Sequence, residues 1–302
     1  MPDAKVGLGL DIGGTKTRGV LVDAQYRILA DVTALTLPGE EGVRTTVTTV
    51  TAGLFAETGL TVGDLASVGV GVPGIVDTAT GTVSSAVNLD IRRSALGDVL
   101  RDDLGAPVRI ENDVNAAALG AQWTLHPRVD ELCYLNVGTG LAAGVISGGT
   151  LVRGARGGAG ELGHFALDPV GEECPCGQRG CLETVLGGGA IARRLSALGV
   201  QLHDLPAAEG PGPRAERRRI THTLATAILL VLAAYEPEVV MLDGGVVSNA
   251  PWLLGEVSEE LRRRARRSSF VSGLTPDERL ARPAAGIPIG AFGAAVVGRA
   301  AL

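Results

Sequence analysis

Four side chains within a short stretch of the chain have the types and spacing to hold a metal ion. His164 lies ten residues before Cys174, and Cys176 and Cys181 follow in Cys174-Pro175-Cys176-Gly177-Gln178-Arg179-Gly180-Cys181. Three thiolates and one imidazole make a closed tetrahedral Cys3His set with no position for a reactive water, so the chemistry expected is a structural Zn2+. Gly177 and Gly180 let so short a loop wrap an ion. Reduced surface cysteines beside a coincidental histidine are the plainer reading of the same residues. The absence of a C-x-x-C pair argues against disulfide exchange. A metal knuckle would brace the polar residues around it: Glu161 three residues before His164, Glu183 two residues after Cys181, and the second ring nitrogen of His164. Together they are a sugar-sized set of hydrogen-bonding groups. His126, His203 and His222 have no cysteine neighbours and read as ordinary surface or helix residues.

A second group carries carboxylates beside glycine turns. Asp11 precedes Gly13-Gly14-Thr15-Lys16, and a similar turn recurs at Gly138-Thr139-Gly140. Glycines of this kind can aim backbone N–H groups at a phosphate, and an acid beside them is placed to hold Mg2+ through water. Tight hairpins with structural glycines explain each turn taken alone. A Walker A loop needs a Gly-Lys pair, and neither Lys5 nor Lys16 follows a glycine. Gly138 to Ala143 fits G-x-G-x-x-A, but Gly144, Gly148 and Gly149 follow where a dinucleotide fingerprint requires a helix. Asn112 and Asp113, in Glu111-Asn112-Asp113-Val114-Asn115, stand between a strand end and a helix start. There Asp113 is a candidate general base, and helix capping is the competing reading.

The elements that must position these groups form a pattern that runs twice. Runs at 6–12, 17–22 and 28–35 read as a meander of strands, and runs at 132–137, 141–146 and 150–153 repeat it about 125 residues later. Two similar α/β lobes facing each other would bring both turns to a shared cleft. Helices are expected over 41–58, 94–104, 114–122, 182–198, 217–235, 251–267 and 290–302, strands over 67–72, 108–110 and 239–242, and a loop over 205–213. Glycine is 44 of 302 residues, about twice the usual share, which fits glycines with specific conformational duties. A net charge of −6 argues against binding driven by phosphate-backbone neutralisation, and 3% aromatics against a base-stacking platform. Neither a secretory leader nor a membrane-spanning stretch is evident, and three clustered cysteines are unlike a disulfide framework, so the cytoplasm is expected.

These residues resemble the ROK family, named for its repressors, open reading frames and sugar kinases. Asp11-Ile12-Gly13-Gly14-Thr15-Lys16 resembles its first phosphate motif and Glu111 to Gly120 its catalytic segment. Gly160-Glu161-Leu162-Gly163-His164, the cysteine cluster and Leu182-Glu183-Thr184 resemble its zinc-and-sugar signature. The resemblance implies a two-lobed actin-like (ribonuclease H-like) α/β ATPase fold with duplicated lobes and a deep interlobe cleft. Residues 1–112 with 286–302 would form the small lobe, and 113–285 the large one. It implies transfer of phosphate from ATP with Mg2+ to the 6-hydroxyl of glucose or a close analogue, with Asp113 as general base. Gly74, Asn88, Asn112, Asp113, Glu161, His164 and Glu183 match the sugar-holding positions. Asp11, Gly13, Gly14, Thr15, Lys16, Gly138, Thr139, Gly140, Gly244 and Gly245 match the ATP and Mg2+ side, and His164, Cys174, Cys176 and Cys181 the zinc ligands.

The chain departs from the family pattern at Asp90-Ile91, where a pair such as Gly-Trp is usual, at Val185 to Gly189, and at Asp243 in place of a glycine. Asp90 supplies a carboxylate for an ammonium group, so an amino or N-acetylamino hexose is the alternative acceptor, with a sugar sensor without turnover further behind. The family's repressors carry a helix-turn-helix ahead of the first motif, and ten residues before Asp11 are too few for one. Arg262 to Arg267 follow Glu259 and Glu260, so pairs Glu259–Arg263 and Glu260–Arg264 on a solvated helix face are expected in place of DNA contacts. The expected partners are a hexose and ATP, without nucleic acid or membrane, in a homodimer or homotetramer.

Overall fold

The strand pattern read from the sequence resolves into two five-stranded sheets with the same order. In the computed structural model, which describes residues 5–125 and 128–299, β1 (Val6–Ile12), β2 (Lys16–Val22) and β3 (Ile28–Leu35) form an antiparallel meander. Helix α1 (Gly39–Thr58) leads to β4 (Leu65–Val72), which pairs parallel to β1. A small sheet of β5 (Ile75–Asp77), β6 (Thr82–Ala86) and β7 (Ile91–Ser94) comes next, then α2 (Leu96–Leu104), β8 (Val108–Asn112) and α3 (Asp113–Thr124). The first sheet has the order β3-β2-β1-β4-β8. The second copy begins with β9 (Leu132–Val137), β10 (Leu141–Ser147) and β11 (Thr150–Leu151), followed by α4 (Leu182–Leu186), α5 (Gly188–Leu198) and α6 (Pro211–Tyr235). It closes with β12 (Val239–Asp243), α7 (Gly245–Asn249), α8 (Leu253–Ala265), α9 (Ser269–Gly273) and β13 (Leu280–Ala281), in the order β11-β10-β9-β12-β13. Helix α10 (Ile289–Arg299) ends the described chain. His126 and residues 300–302 of the expected closing helix lie outside the described residues. No described helix is long and apolar enough to cross a membrane.

The described residues of Met1–Arg128, Leu151–Ala159 and Ala284–Leu302 form one compact unit, and Val129–Thr150 with Gly160–Pro283 the other. Helix α3 thus belongs with the first unit, although the sequence reading begins the large lobe at residue 113. The reason is packing: α3 and α10 meet through small residues. A Cβ on Gly293 would lie 1.9 Å from the Ala116 carbonyl oxygen, so the two backbones touch in a way that any side chain would prevent. Gly69 of β4 is held just as closely, with a Cβ position 1.7 Å from the Ala294 carbonyl oxygen. Strand β1, in the middle of its sheet, is buried on both faces, whereas the edge strand β3 alternates buried and exposed positions. Val43, Val47, Val50 and Leu54 of α1 recur at helical spacing and enter the core with Leu8, Leu10 and Val70.

Three of the differences from the expectation have a local cause. The small sheet β5 to β7 is absent from the sequence reading because its strands are short and polar. The helix expected over 182–198 breaks at Gly187, whose ψ of 135 leaves the helical region. The segment expected as a loop over 205–213 ends three residues early, because Pro211 starts α6 at a helix position that has no use for an N–H.

Candidate active site

In the first unit, the turn between β1 and β2 is closed by the Gly13 N–H donating to the Lys16 carbonyl at 2.9 Å. Gly14, Thr15 and Lys16 are exposed beyond it. Gly14 lies against Asn88, where a Cβ would approach the Asn88 Cβ to 2.7 Å, so the turn and this expected sugar residue are neighbours. Asp11 is half-buried opposite Arg18 of β2. Its carboxylate sits against the first turn of α10: a Cβ on Gly290 would be 2.3 Å from Asp11 Oδ2. Gly74, between β4 and β5, has φ +99, a conformation suited to glycine, and its carbonyl accepts from Asn112 Nδ2 at 3.2 Å.

Asn112 and Asp113 divide the work at the start of α3. Asn112 is the cap: its Oδ1 accepts from the Val114 N–H at 3.0 Å and the Asn115 N–H at 3.2 Å. Asp113 is the first residue inside the helix, half-buried, with Oδ1 3.0 Å from the Val114 nitrogen. The cap position therefore belongs to Asn112, with Asp113 one residue inside the helix. The partial positive charge of the helix N-terminus favours a carboxylate there.

In the second unit, the corresponding turn between β9 and β10 is closed by the Gly138 N–H to the Gly140 carbonyl at 3.0 Å. Asn136 stands two residues before Gly138, as Asp11 stands two before Gly13, so the acid is replaced by an amide. Gly244, with φ +102, is pressed against the end of β9: a Cβ would lie 2.5 Å from Asn136 Oδ1. Gly245 then opens α7. Asp243 is held from the side by the Tyr134 hydroxyl, which donates at 2.7 Å.

The break at Gly187 has a local consequence that the sequence reading missed. It brings the start of α5 to the turn, with the Gly188 N–H on the Gly138 carbonyl at 2.8 Å. Gly138, Thr139, Gly188, Gly189, His203 and Asn249 are among the residues that line a cavity of about 380 Å3. The Gly187-Gly188-Gly189 run was the available signal. His203, read as an ordinary surface residue, lines this cavity, whereas His222 has Nδ1 3.2 Å from Glu260 Oε1.

Glu161 is exposed at the head of a single 3-10 turn, Leu162–His164, and its carbonyl accepts the His164 N–H at 3.2 Å. Glu183 is half-buried; its Oε2 accepts from the Leu141 N–H at 3.1 Å and crowds Gly140 and Gly163. This carboxylate thus braces the second turn while lying two residues from Cys181.

His164, Cys174, Cys176 and Cys181 present ligand atoms that all lie within 4.8 Å of one another. Cys176 Sγ and Cys181 Sγ are 3.7 Å apart, and Cys174 Sγ is 3.6 Å from His164 Nδ1. A tetrahedron with Zn–S bonds of about 2.3 Å has S–S edges of roughly 3.8 Å, so the donor set fits that ion. Gly180 must be glycine, since a Cβ would lie 1.8 Å from the Asp168 carbonyl oxygen. The Gln178 backbone N–H lowers the Cys176 thiol to about 6, while burial raises Cys174 and pushes Cys181 up to about 12. A dication supplies what two of the sulfurs lack as thiolates on their own. Cys133, fully buried in β9 and raised to about 12 by desolvation, is a core residue.

One departure from the family pattern has a local explanation. Asp90 adopts φ 55, the left-handed region where glycine is most at ease and aspartate is among the better substitutes. Its residue type thus follows from the backbone without a ligand. Of the two pairs expected on α8, Glu260–Arg264 forms at 2.7 Å; Glu259 instead joins Arg262 and Arg266, and Arg263 goes to Glu260, so the Glu259–Arg263 pair does not form. Glu260, on the buried side of this network, is taken by Arg263 from the adjacent turn.

Comparison with known proteins covers nearly the whole chain. The ROK family model matches residues 7–299. A glucokinase of Thermotoga maritima is 34% identical over 286 residues, spanning 86% of this chain and 88% of that protein. A ROK hexokinase structure from Thermus thermophilus superposes with a TM-score of 0.81 at 31% identity, covering 97% of each chain. The structure of a ROK family glucokinase from Streptomyces griseus, in complex with glucose and AMPPNP, gives 0.80 at 28% identity, covering 98% of this chain and all of that one. The fold is the mixed α/β, actin-like ATPase fold of these kinases. Both glycine turns, the Asn112–Asp113 helix start and the cysteine knuckle fall in order within the matched span, and the chain belongs to the ROK family.

Proposed function

We propose that the chain is an ATP-dependent hexose kinase that phosphorylates the 6-hydroxyl of glucose or a close glucose analogue. Relatives named as glucokinases across most of the chain support the activity. The observation that carries the mechanism is the division of labour at α3: Asn112 takes the cap, and Asp113 stands just inside the helix with its carboxylate at the positive N-terminal end. In the reaction Asp113 accepts the proton of the 6-hydroxyl as that oxygen bonds to the γ-phosphorus of ATP. The bond from phosphorus to the bridging oxygen breaks and ADP leaves. The turns Gly13 to Lys16 and Gly138 to Gly140 offer backbone N–H groups to the phosphates, and Asp11 supports the Mg2+ that accompanies ATP. Gly244, Gly245 and the cavity beside Gly188 and His203 take the nucleoside end. Gly74, Asn88, Asn112, Glu161, His164 and Glu183 hold the sugar, with His164 Nε2 the ring nitrogen left for a hydroxyl when Nδ1 binds metal.

The knuckle fits a structural Zn2+ held by His164, Cys174, Cys176 and Cys181. When bound, the ion neutralises the thiolates and fixes the loop that carries His164 and leads to Glu183. Exposed Phe165, Leu167 and Val170 on the same loop are apolar surface suited to a second copy, in line with a homodimer or homotetramer, which light scattering measures. Reduced cysteines and an ATP donor fit the cytoplasm. The test is ADP release with a panel of glucose, mannose, fructose, 2- and 3-amino sugars and N-acetylated sugars, run with ATP and with polyphosphate. Glucose is expected to give the highest kcat/KM. Preference for an amino or N-acetyl sugar would move the substrate assignment, and binding without ADP would make the protein a sensor.

A further inference from the structure

Glu111, the last residue of β8 before the cap, is a buried carboxylate outside the roles given above. Its side chain is 2% exposed, and both oxygens are engaged. Oε1 accepts from the Asn112 N–H at 3.0 Å and from Asn115 Nδ2 at 3.2 Å. Oε2 accepts from Arg153 Nε at 2.7 Å. The residues bonded to Oε1 flank Asp113 on either side, so one carboxylate ties the strand end to the first turn of the helix across the very peptide that carries Asp113. The backbone that carries Arg153 is tied down, although its side chain is 40% exposed. It sits in residues 151–159, which belong with the first unit, in a loop closed by the Ala159 N–H on the Arg153 carbonyl at 3.1 Å. The loop turns at Gly154 and Gly157, both at positive φ, and Gly157 packs against the Val76 carbonyl of β5.

A pair placed for stability alone is an odd choice here. Burying a carboxylate costs desolvation that one arginine seldom fully offsets, and an apolar side chain would serve a core position as well. What an apolar residue cannot do is hold Asn112 and Asn115 by hydrogen bonds. We propose that Glu111 and Arg153 are positioning residues for the reaction, Glu111 setting the Asp113 peptide and Arg153 setting Glu111 and balancing its charge. This rests on Asp113 being the general base. It assigns a function to Arg153, forty residues downstream and outside the sequence motifs.

Steady-state kinetics with glucose and ATP test it on Arg153→Met, Glu111→Gln, the double variant and Asp113→Asn, each checked by circular dichroism and for sugar affinity by calorimetry. Arg153→Met is expected to lower kcat by roughly 30- to 100-fold, since misplacement by about 1 Å costs on that order, while KM and sugar affinity stay within about threefold. The double variant, which leaves no uncompensated buried charge and so guards against misfolding of the single one, is expected to lose about as much as Arg153→Met alone. Multiplying losses, an effect confined to KM, or a double variant with the parent kcat would overturn the pair's role. An inactive Asp113→Asn beside a fully active Arg153→Met removes the positioning claim and leaves the base in place. An active Asp113→Asn removes the base reading and this inference with it.

Discussion

The two units start from one strand order and stiffen their glycine turns by different means. In the first, the strands and helices beside the turn after β1 pack backbone against backbone: Gly9 on Ala291, Gly293 on Ala116 and Gly69 on Ala294. In the second, the turn after β9 is backed by the Glu183 carboxylate, which lies two residues beyond a cysteine of the His/Cys knuckle. Close packing of small residues gives a rigidity that needs no ion and no charge. A knuckle gives rigidity conditional on metal, and it can carry polar groups such as Glu161 and His164 at a surface where no core could form. Under the proposed function, the first unit carries the base and three of the sugar-holding residues, and the knuckle of the second carries or adjoins the other three. Loss of the base is then read in kcat and loss of the knuckle in sugar affinity.

The largest effect is expected from Asp113→Asn. The change keeps the shape and removes the base, so kcat should fall by about a thousandfold, within the range for loss of a general base, while glucose affinity measured by calorimetry holds within a few fold. Turnover near the parent value would remove Asp113 from that role. Cys181→Ser comes next and attacks the other unit. The bound zinc per chain should fall from near one to near zero, with a lowered Tm, because structural zinc binding contributes about 10 kcal/mol or more to folding in small metal domains. Glucose affinity should drop by at least about tenfold, as expected where a residue supporting a metal site is lost. Parent-like affinity in the zinc-free variant would mean that the knuckle does not organise the grip.

The contrast also explains what could be read from the sequence. Both meanders, the turns and the cysteine set were legible, because strand periodicity, glycine pairs and thiol spacing are local signals. The duplication was legible because it repeats them. The membership of α3 was not, since it depends on Gly293 meeting Ala116, nearly 180 residues apart, and glycine in a sequence does not say which backbone approaches it. The same limit hid Arg153, whose partner Glu111 lies across the fold. The break at Gly187 was a matter of competition. Leu182 to Leu198 has helical apolar spacing throughout, but the Gly188 N–H is claimed by the Gly138 carbonyl. For Asp113 the residue was legible, while its place one position inside the helix, with the cap at Asn112, is seen only in the structure.

Stability sharpens the comparison further. Gly69→Ala places a methyl carbon 1.7 Å from the Ala294 carbonyl oxygen, so β4 or α10 must shift, and a loss of about 3 kcal/mol in urea unfolding is expected, at the upper end for overpacking. Gly255, in α8 of the second unit, has nothing within 4 Å of its Cβ position. Gly255→Ala should therefore gain up to about 1 kcal/mol from helix propensity. Equal effects at the two positions would show that close packing is not what distinguishes the first unit.

The smallest effect is expected where the first unit does use charge. Arg44 of α1 donates to both oxygens of Asp103 on α2, at 2.8 and 2.7 Å, and its hydrogen bonds hold the Asp103 carboxyl below the ordinary 3.8. A carboxyl depressed in the folded state stabilises the protein above its unfolded value, and that contribution disappears as pH falls through the folded value. Arg44→Met should accordingly lower Tm slightly at neutral pH, and the gap from the parent should close as the pH drops below about 4. Both side chains are solvent-facing, where screening keeps such pairs weak, so the Tm change should be well under that of Gly69→Ala. A larger loss in Arg44→Met, or a gap that widens in acid, would mean that charge rather than close backbone packing holds the first unit together.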